Sequence, residues 1–164
     1  MSDLHPEERA ALPVIVDFIR SLGIEVRTGS LDSPGFLPGI LIRDGALVYD
    51  PEVAFHPGDL LHEAGHLALL EPVKRQRASG DLVQQFPEEE GSELAVILWT
   101  FLACRHLDLS PAVVFHEEGY RGESAWLKGE LEGGNYLGLP LLQWMGMVRV
   151  GLGGDLEVTM WLRS

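Results

Sequence analysis

The segment His62-Glu63-Ala64-Gly65-His66 combines residue types and a spacing that suit a metal ion. Residues four apart lie one above the other on a helix face, so the two imidazoles would converge on one ion. Glu63 projects near the same face, where its carboxylate can accept a proton from water that the metal activates. We therefore expect a zinc site with His62 and His66 as ligands of Zn2+ and Glu63 as the general base.

A catalytic zinc ion usually has three protein ligands and one open position, so this site needs a further donor. The histidine that would extend the motif falls at position 72, which is Pro72. The donor is then expected from the next predicted helix, where the candidates are Glu88, Glu89, Glu90 and Glu93. We favour Glu93, because it enters the uncharged run 94–104, where a carboxylate needs a partner. Glu89 and Glu90 remain alternatives, although a helix dipole already stabilises carboxylates in the first turn.

An HExxH helix followed by a glutamate from the next helix resembles the gluzincin metallopeptidases. The separation of Glu93 from His66 is most similar to that of the ImmA/IrrE-type metallo-endopeptidases, and the resemblance covers roughly residues 40–107. It implies a zincin-like minimal metallopeptidase domain with a hairpin before the HExxH helix, and hydrolysis of peptide bonds with a narrow substrate range. That family's glutamate helix usually has a small residue and Asn or Asp where this chain has Val96 and Ile97.

Two classes of function are compatible with the motif. In an enzyme, Glu63 takes a proton from the water that attacks the scissile carbonyl and returns it to the leaving amine. In a non-catalytic zinc-binding regulatory or interaction module, the same ion would only hold the fold or a partner. The intact Glu63 favours the zinc metallopeptidase, because a purely structural site needs no base at that position.

A turn-rich segment, 113–122, carries further candidate catalytic residues. His116 or Tyr120, and equally Arg121, could stabilise the oxyanion of a tetrahedral intermediate. The alternative for His116 is a histidine at a helix end beside two solvated glutamates. His56 and Asp59 are expected to support the start of the motif helix, which Asp59 could cap.

Hydropathy patterns predict elements that would position these residues within one α+β domain over 1–164. The expected architecture is a small N-terminal sheet, the motif helix and a helical C-terminal half. Predicted helices cover 6–22, with a kink or split at Pro13, and also 57–70 and 87–107. Predicted strands are one at 24–28 and a hairpin over 40–49. The segments 33–39 and 73–86 are predicted to be connections, and the chain after 107 to form short helices broken by turns.

Composition and charge restrict the classes of partner. The chain has 164 residues, of which 46% are hydrophobic, and a mean hydropathy of +0.08, as is typical of one globular domain. It has 25 acidic and 12 basic residues, a formal net charge of −13, which disfavours nucleic acid and anionic lipid surfaces. We expect a peptide or protein substrate, with no nucleic acid or membrane as partner and with the oligomeric state left open.

Cysteine content and the first residues bear on location. The single cysteine, Cys104, excludes an intramolecular disulfide and a four-cysteine zinc site. The first eight residues have neither a basic segment nor an apolar one, so no secretory signal is expected. These features predict a cytoplasmic protein.

Overall fold

The N-terminal third of the chain forms one helix and a three-stranded sheet. The structure is a computed structural model that describes residues 4–32 and 37–164. The elements are helix α1 (Pro6–Ser21) and strands β1 (Val26–Thr28), β2 (Ile40–Arg43) and β3 (Ala46–Tyr49). The central strand β3 pairs with β1 in parallel and with β2 in antiparallel. The predicted hairpin is confirmed, and the two residues of its turn, Asp44 and Gly45, have φ of 49° and 76°, as a tight right-twisted hairpin requires.

Helix α1 continues through Pro13, so the predicted split of this helix is wrong. Residues on both sides of the proline, such as Leu12, Ile15 and Ile19, are buried in the core. Tertiary packing of an apolar face contributes more to a helix than local propensity does, so it can hold both halves together. The loop predicted over 33–39 has residues 33–36 outside the described part of the chain, and 38–39 form a turn.

The rest of the chain is mainly helical but ends in a hairpin. Its helices are α2 (Pro57–Leu69), α3 (Pro72–Gln76), α4 (Leu82–Gln85), α5 (Glu93–His106), α6 (Ser124–Glu132) and α7 (Leu139–Trp144). Single 3-10 turns cover Pro87–Glu89, Pro111–Val113 and Tyr120–Gly122, and strands β4 (Val148–Val150) and β5 (Leu156–Val158) form a second sheet. The α+β class is therefore confirmed, and the C-terminal half has the predicted short helices together with a hairpin that was not predicted. The connection predicted over 73–86 also contains most of α3 and the whole of α4.

Helix α5 lies in the centre of the molecule. Every residue from Ala95 to Cys104 is buried, so the helix is apolar on all sides, as expected of a helix enclosed by other elements. It begins at Glu93 and not at 87 as predicted, because Pro87–Glu89 form a 3-10 turn and Gly91, with φ of 97°, breaks the helical path. No helix in the described ranges is long and apolar enough to span a bilayer.

Two glycines allow α2 to pack closely against its neighbours. A Cβ atom at Gly65 would lie 3.0 Å from Val96 Cγ1 and from Trp99 Cε3, both on α5. A Cβ atom at Gly58 would lie 2.1 Å from the carbonyl oxygen of Val113, a distance that no side chain can adopt. The motif helix is thus in direct contact with α5 on one side and with the segment that begins at 113 on another.

Candidate metal centre

Three side chains from two helices bring their donor atoms together. Nε2 of His62 lies 3.2 Å from Nε2 of His66. The two carboxylate oxygens of Glu93 each lie 3.1 Å from one of these nitrogens, Oε1 from His62 and Oε2 from His66. Ligand atoms on a tetrahedral zinc ion with bonds of 2.0–2.1 Å are about 3.3 Å apart. The spacing of this donor cluster (His62, His66 and Glu93) therefore fits a single zinc ion.

The packing of α2 against α5 explains why these donors meet. The two histidines are one helical turn apart on α2, and Glu93 is the first residue of α5. The close approach at Gly65 brings the beginning of α5 over the histidine face of α2. Trp99 lies six residues after Glu93 on α5. It is fixed by a hydrogen bond of 3.0 Å from its indole nitrogen to the carbonyl oxygen of Trp161.

Glu93 is placed at the centre for a different reason from the one that the sequence indicated. Its side chain is 52% exposed, so its carboxylate does not enter the apolar interior of α5. Partial burial raises the pKa of the Glu93 carboxyl, but the adjacent imidazoles of His62 and His66 outweigh burial, and the pKa lies well below its usual range. Glu93 therefore presents an ionised, half-exposed carboxylate beside the two histidines.

The alternative glutamates are engaged elsewhere. Nζ of Lys74 lies 2.5 Å from a carboxylate oxygen of Glu89 and 2.9 Å from one of Glu88. Glu90 is exposed, and its carboxylate has no hydrogen bond or ion pair with a described residue. Since none of the three contributes to the donor cluster, Glu93 is the carboxylate that the structure places beside both histidines.

Glu63 lies beside the cluster, and its carboxylate has no partner in the part of the chain that the structure describes. One of its carboxylate oxygens is within 4.8 Å of a ring nitrogen of each histidine. Among residues 4–32 and 37–164, none makes a hydrogen bond or ion pair with this carboxylate. Burial raises the pKa of Glu63, against the opposing influence of His66 and His62. A half-buried carboxylate with a raised pKa and no competing hydrogen bond is suited to general-base catalysis near neutral pH.

Tyr120 contacts the centre from the side opposite to Glu93. Its hydroxyl oxygen lies 2.9 Å from Nδ1 of His62, the ring nitrogen that faces away from the donor cluster. Burial raises the pKa of the Tyr120 hydroxyl, so this group stays neutral. The predicted oxyanion role requires a hydroxyl that faces the substrate, whereas this hydroxyl is directed at a histidine.

His116 belongs to a second group of titratable side chains, which we call the paired cluster (His56, His116, Glu8, Asp59 and Glu118). Nε2 of His116 lies 2.7 Å from Oδ1 of Asp59, and its ring stacks on that of His56 with centroids 3.7 Å apart. Nδ1 of His116 is buried and has no partner among the described residues. The structure therefore does not bring His116 into contact with the donor cluster.

His56, the second histidine of the paired cluster, is bonded to a carboxylate at each of its two ring nitrogens. The two ring nitrogens of His56 lie 2.8 Å from Glu8 and 2.9 Å from Glu118. Burial lowers the pKa of His56, but the hydrogen bonds with Glu118 and Glu8 outweigh it and the pKa is raised overall. Asp59 binds His116 and makes no cap hydrogen bond at the start of α2, so its predicted role as a cap is wrong.

A cavity of about 210 Å³ adjoins the donor cluster. It is lined by His66 and Glu93, by two leucines at the end of α2, and by Leu82 and Val83 of α4. This cavity was not predicted, because the segment 73–86 was expected to be a connection. The adjacent pair Leu82-Val83 in an otherwise polar segment was the available signal.

Comparisons of the chain with models of known protein families, with curated protein sequences and with solved structures found no match. The interpretation of the centre therefore depends on its own residues and distances. The resemblance of the HExxH helix and Glu93 to the ImmA/IrrE-type metallo-endopeptidases stays a prediction.

Proposed function

We propose that this chain is a zinc-dependent metallopeptidase with a zincin-like fold, in which His62, His66 and Glu93 hold the ion. The observation that carries the proposal is the convergence of three side chains, whose donor atoms lie 3.1–3.2 Å from their neighbours, beside a Glu63 carboxylate that no described residue binds. The order of the elements, with a small sheet followed by the motif helix, agrees with such a fold.

Hydrogen bonding alone satisfies the donor cluster poorly. For both histidines to donate to Glu93, both Nε2 atoms must carry protons, and these protons would then face each other across 3.2 Å. A divalent cation instead accepts a lone pair from each nitrogen and from the carboxylate. The arrangement of the side chains is thus better matched to a metal than to an ion-paired network.

The steps of peptide-bond hydrolysis can be assigned to the donor cluster, to Glu63 and to the adjacent cavity. When bound, zinc lowers the pKa of water and polarises a carbonyl group. Glu63 accepts the proton of the attacking water and delivers it to the leaving amine, and it is available for this because no described residue binds its carboxylate. The cavity beside His66 and Glu93 would receive a side chain of the peptide substrate.

A Glu63→Gln substitution tests the proposal most directly. Glutamine keeps the size of the side chain but cannot accept a proton as a base, so the variant should retain one zinc ion per chain and lose peptide cleavage. General-base catalysis contributes about 100- to 10,000-fold to a rate, so the loss should be readily measured on a panel of peptide and protein substrates. Glu118→Gln, which changes an exposed glutamate of the paired cluster, is the matched control and should keep both zinc and activity.

The same pair of variants separates the enzyme from a non-catalytic zinc module. If Glu63→Gln lowers the zinc content, Glu63 is a ligand and the centre is closed, as a structural site with four protein ligands is. That result, together with a wild type that cleaves no substrate of the panel, would contradict the peptidase proposal.

A further inference from the structure

The segment that carries Tyr120 has an unusual backbone. Tyr120, Arg121 and Gly122 have φ of 51°, 54° and 85°, so three consecutive residues lie in the left-handed region. Only glycine adopts this region without steric cost, and a side chain there persists when its surroundings hold it. Strained residues of this kind are concentrated at functional sites.

Contacts along one face of α2 hold this segment in place. Gly58 allows the carbonyl of Val113 to approach the helix, and one residue later Asp59 binds His116 across 2.7 Å. A further turn along the same helix, His62 meets the Tyr120 hydroxyl at 2.9 Å. The Tyr120 ring is also packed against Phe115, with centroids 5.4 Å apart. The segment therefore follows the motif helix from its beginning to its first candidate ligand.

We propose that Tyr120 is the positioning residue of His62 and that its hydroxyl orients the imidazole in both the metal-free and the metal-bound protein. The inference rests on the proposed metal centre but not on peptidase activity. A histidine that binds a metal through Nε2 is normally held by a hydrogen bond at Nδ1, and that partner affects metal affinity by about 10- to 100-fold. Tyr120 is the group that the structure places at this nitrogen.

A hydroxyl has an advantage over a carboxylate in this position. In the metal-free protein, Nε2 of His62 lies 3.1 Å from a carboxylate oxygen of Glu93. In the tautomer with the proton on Nε2, His62 donates to Glu93 and the Tyr120 hydroxyl donates to Nδ1. If a metal were bound at Nε2, the proton of the neutral ring would move through water to Nδ1, and Nδ1–H would donate to the Tyr120 oxygen. Because a hydroxyl can donate or accept by rotation alone, Tyr120 keeps its own proton and serves both tautomers without movement of the ring.

The zinc affinity of the intact chain tests this inference. Tyr120→Phe removes only the hydroxyl and should weaken zinc binding about 10- to 100-fold in a competition with a chromophoric chelator. The matched control is Tyr49→Phe, since the Tyr49 hydroxyl makes no hydrogen bond with a described residue. It should bind zinc as the wild type does. Arg121→Gly relieves the left-handed strain but keeps the hydroxyl, and it should also leave the affinity unchanged.

A spectroscopic signature separates positioning from a general effect on the fold. In the zinc-loaded wild type, the His62 Nδ1 proton should give a protected signal in 15N-edited NMR, assigned by its absence in His62→Ala. The signal should exchange rapidly in Tyr120→Phe and persist in Tyr49→Phe. Equal melting temperatures of the metal-free wild type and Tyr120→Phe would show that the fold itself is unaffected.

The outcomes distinguish this inference from the proposed function. Equal zinc affinities of Tyr120→Phe and the wild type would overturn the role of Tyr120 and leave the peptidase proposal standing. A wild type that binds zinc, loses affinity on Tyr120→Phe and yet cleaves no peptide would support Tyr120 and contradict the peptidase. A wild type that binds no zinc at His62 would overturn both.

Discussion

The donor cluster and the paired cluster both combine histidines with carboxylates beside helix α2, but they arrange them in opposite ways. In the donor cluster, the Nε2 atoms of two histidines lie 3.2 Å apart, and each lies 3.1 Å from a different oxygen of one carboxylate. In the paired cluster the two rings stack with centroids 3.7 Å apart, and the nitrogens that are bonded each face a separate carboxylate. Convergent lone pairs suit a cation, whereas divergent ones form separate hydrogen-bonded pairs. Composition alone does not distinguish a metal centre from a set of ion pairs.

The comparison is tested most strongly by removing one histidine from each cluster. His66→Ala should lose bound zinc and all zinc-dependent activity, because two remaining donors cannot hold the ion as three do. His56→Ala should keep one zinc ion per chain, since neither of its nitrogens faces the donor cluster. Elemental analysis of the purified variants measures both effects. Equal zinc contents in the two variants would show that the ion is not held by the donor cluster.

The donor cluster should also depend on the close approach of α2 and α5, which the paired cluster does not use. Gly65→Ala places a methyl group 3.0 Å from Val96 and Trp99, and such overpacking should destabilise the protein by about 1–3 kcal/mol. Because α5 carries Glu93, zinc affinity should fall as well. Chemical denaturation of the metal-free protein and a chelator competition measure the two effects.

Gly129→Ala is the control for this substitution. Gly129 also lies within a helix, α6, but a Cβ atom there would meet nothing within 4 Å. The variant should therefore be stabilised by about 0.4–1 kcal/mol and keep its zinc affinity. A similar loss of stability for both variants would contradict the role of Gly65 in close packing.

The two clusters should respond to pH with opposite signs. Burial lowers the pKa of His66, but the Glu93 hydrogen bond and the charges of Glu63 and Glu93 outweigh it, so in the metal-free protein its pKa is raised. Zinc binds only the neutral ring, so the rise in melting temperature that zinc produces should decrease as the pH falls below the raised pKa of His66. This expectation is checked by melting curves recorded with and without zinc from about pH 5.5 to about pH 8, the range in which histidine titrates.

For the paired cluster, the raised pKa of His56 means that the folded state binds the proton more tightly than the unfolded state. The stability that it contributes is fully present below the unfolded pKa of about 6.5 and is lost as the pH rises through the folded pKa. In the metal-free state, His56→Ala should therefore melt roughly 1–4 °C lower than the wild type in acid and approach it in mild base. A difference that grows with pH would contradict the assignment.

The smallest expected effect is that of the exposed carboxylate in the paired cluster. The hydrogen bond with Glu118 helps to raise the pKa of His56. Glu118→Gln should therefore move the NMR titration midpoint of His56 to lower pH and leave zinc affinity unchanged. A midpoint that does not move would show that Glu8 alone sets the protonation of His56.

Much of the donor cluster could be predicted from the sequence because its main determinants are local. The spacing of His62 and His66 places both rings on one face of any helix, and the apolar residues around them predict that helix. The choice of Glu93 followed from the apolar run after it, although its carboxylate is half exposed and is held by the two histidines. The start of α5 was predicted six residues too early, because the pattern did not register Gly91 as a break.

The hairpin β4–β5 and the continuous helix α1 show the limit of local patterns. The strands Val148–Val150 and Leu156–Val158 are three residues each, too short for alternation to be distinguished from chance, and glycines lie between them. In α1, the proline rule was outweighed by burial on both sides of Pro13. In both cases, contacts with distant parts of the chain decided the local conformation.

The sequence by itself determined the α+β class, the motif helix and the placement of His62, Glu63 and His66 on it, since each follows from residues close together in the chain. Only the tertiary structure decided which residues His116 and Tyr120 contact. In the sequence the two are similar, because both are polar residues of one turn-rich segment. His116 binds Asp59, 57 positions away, and Tyr120 meets His62, 58 positions away. The Tyr120 side chain lies in the left-handed turn at 120–122, and the segment that carries both residues approaches α2 closely at Gly58. Neither feature has a signature in hydropathy or spacing, because both arise from packing between segments that are far apart in the chain.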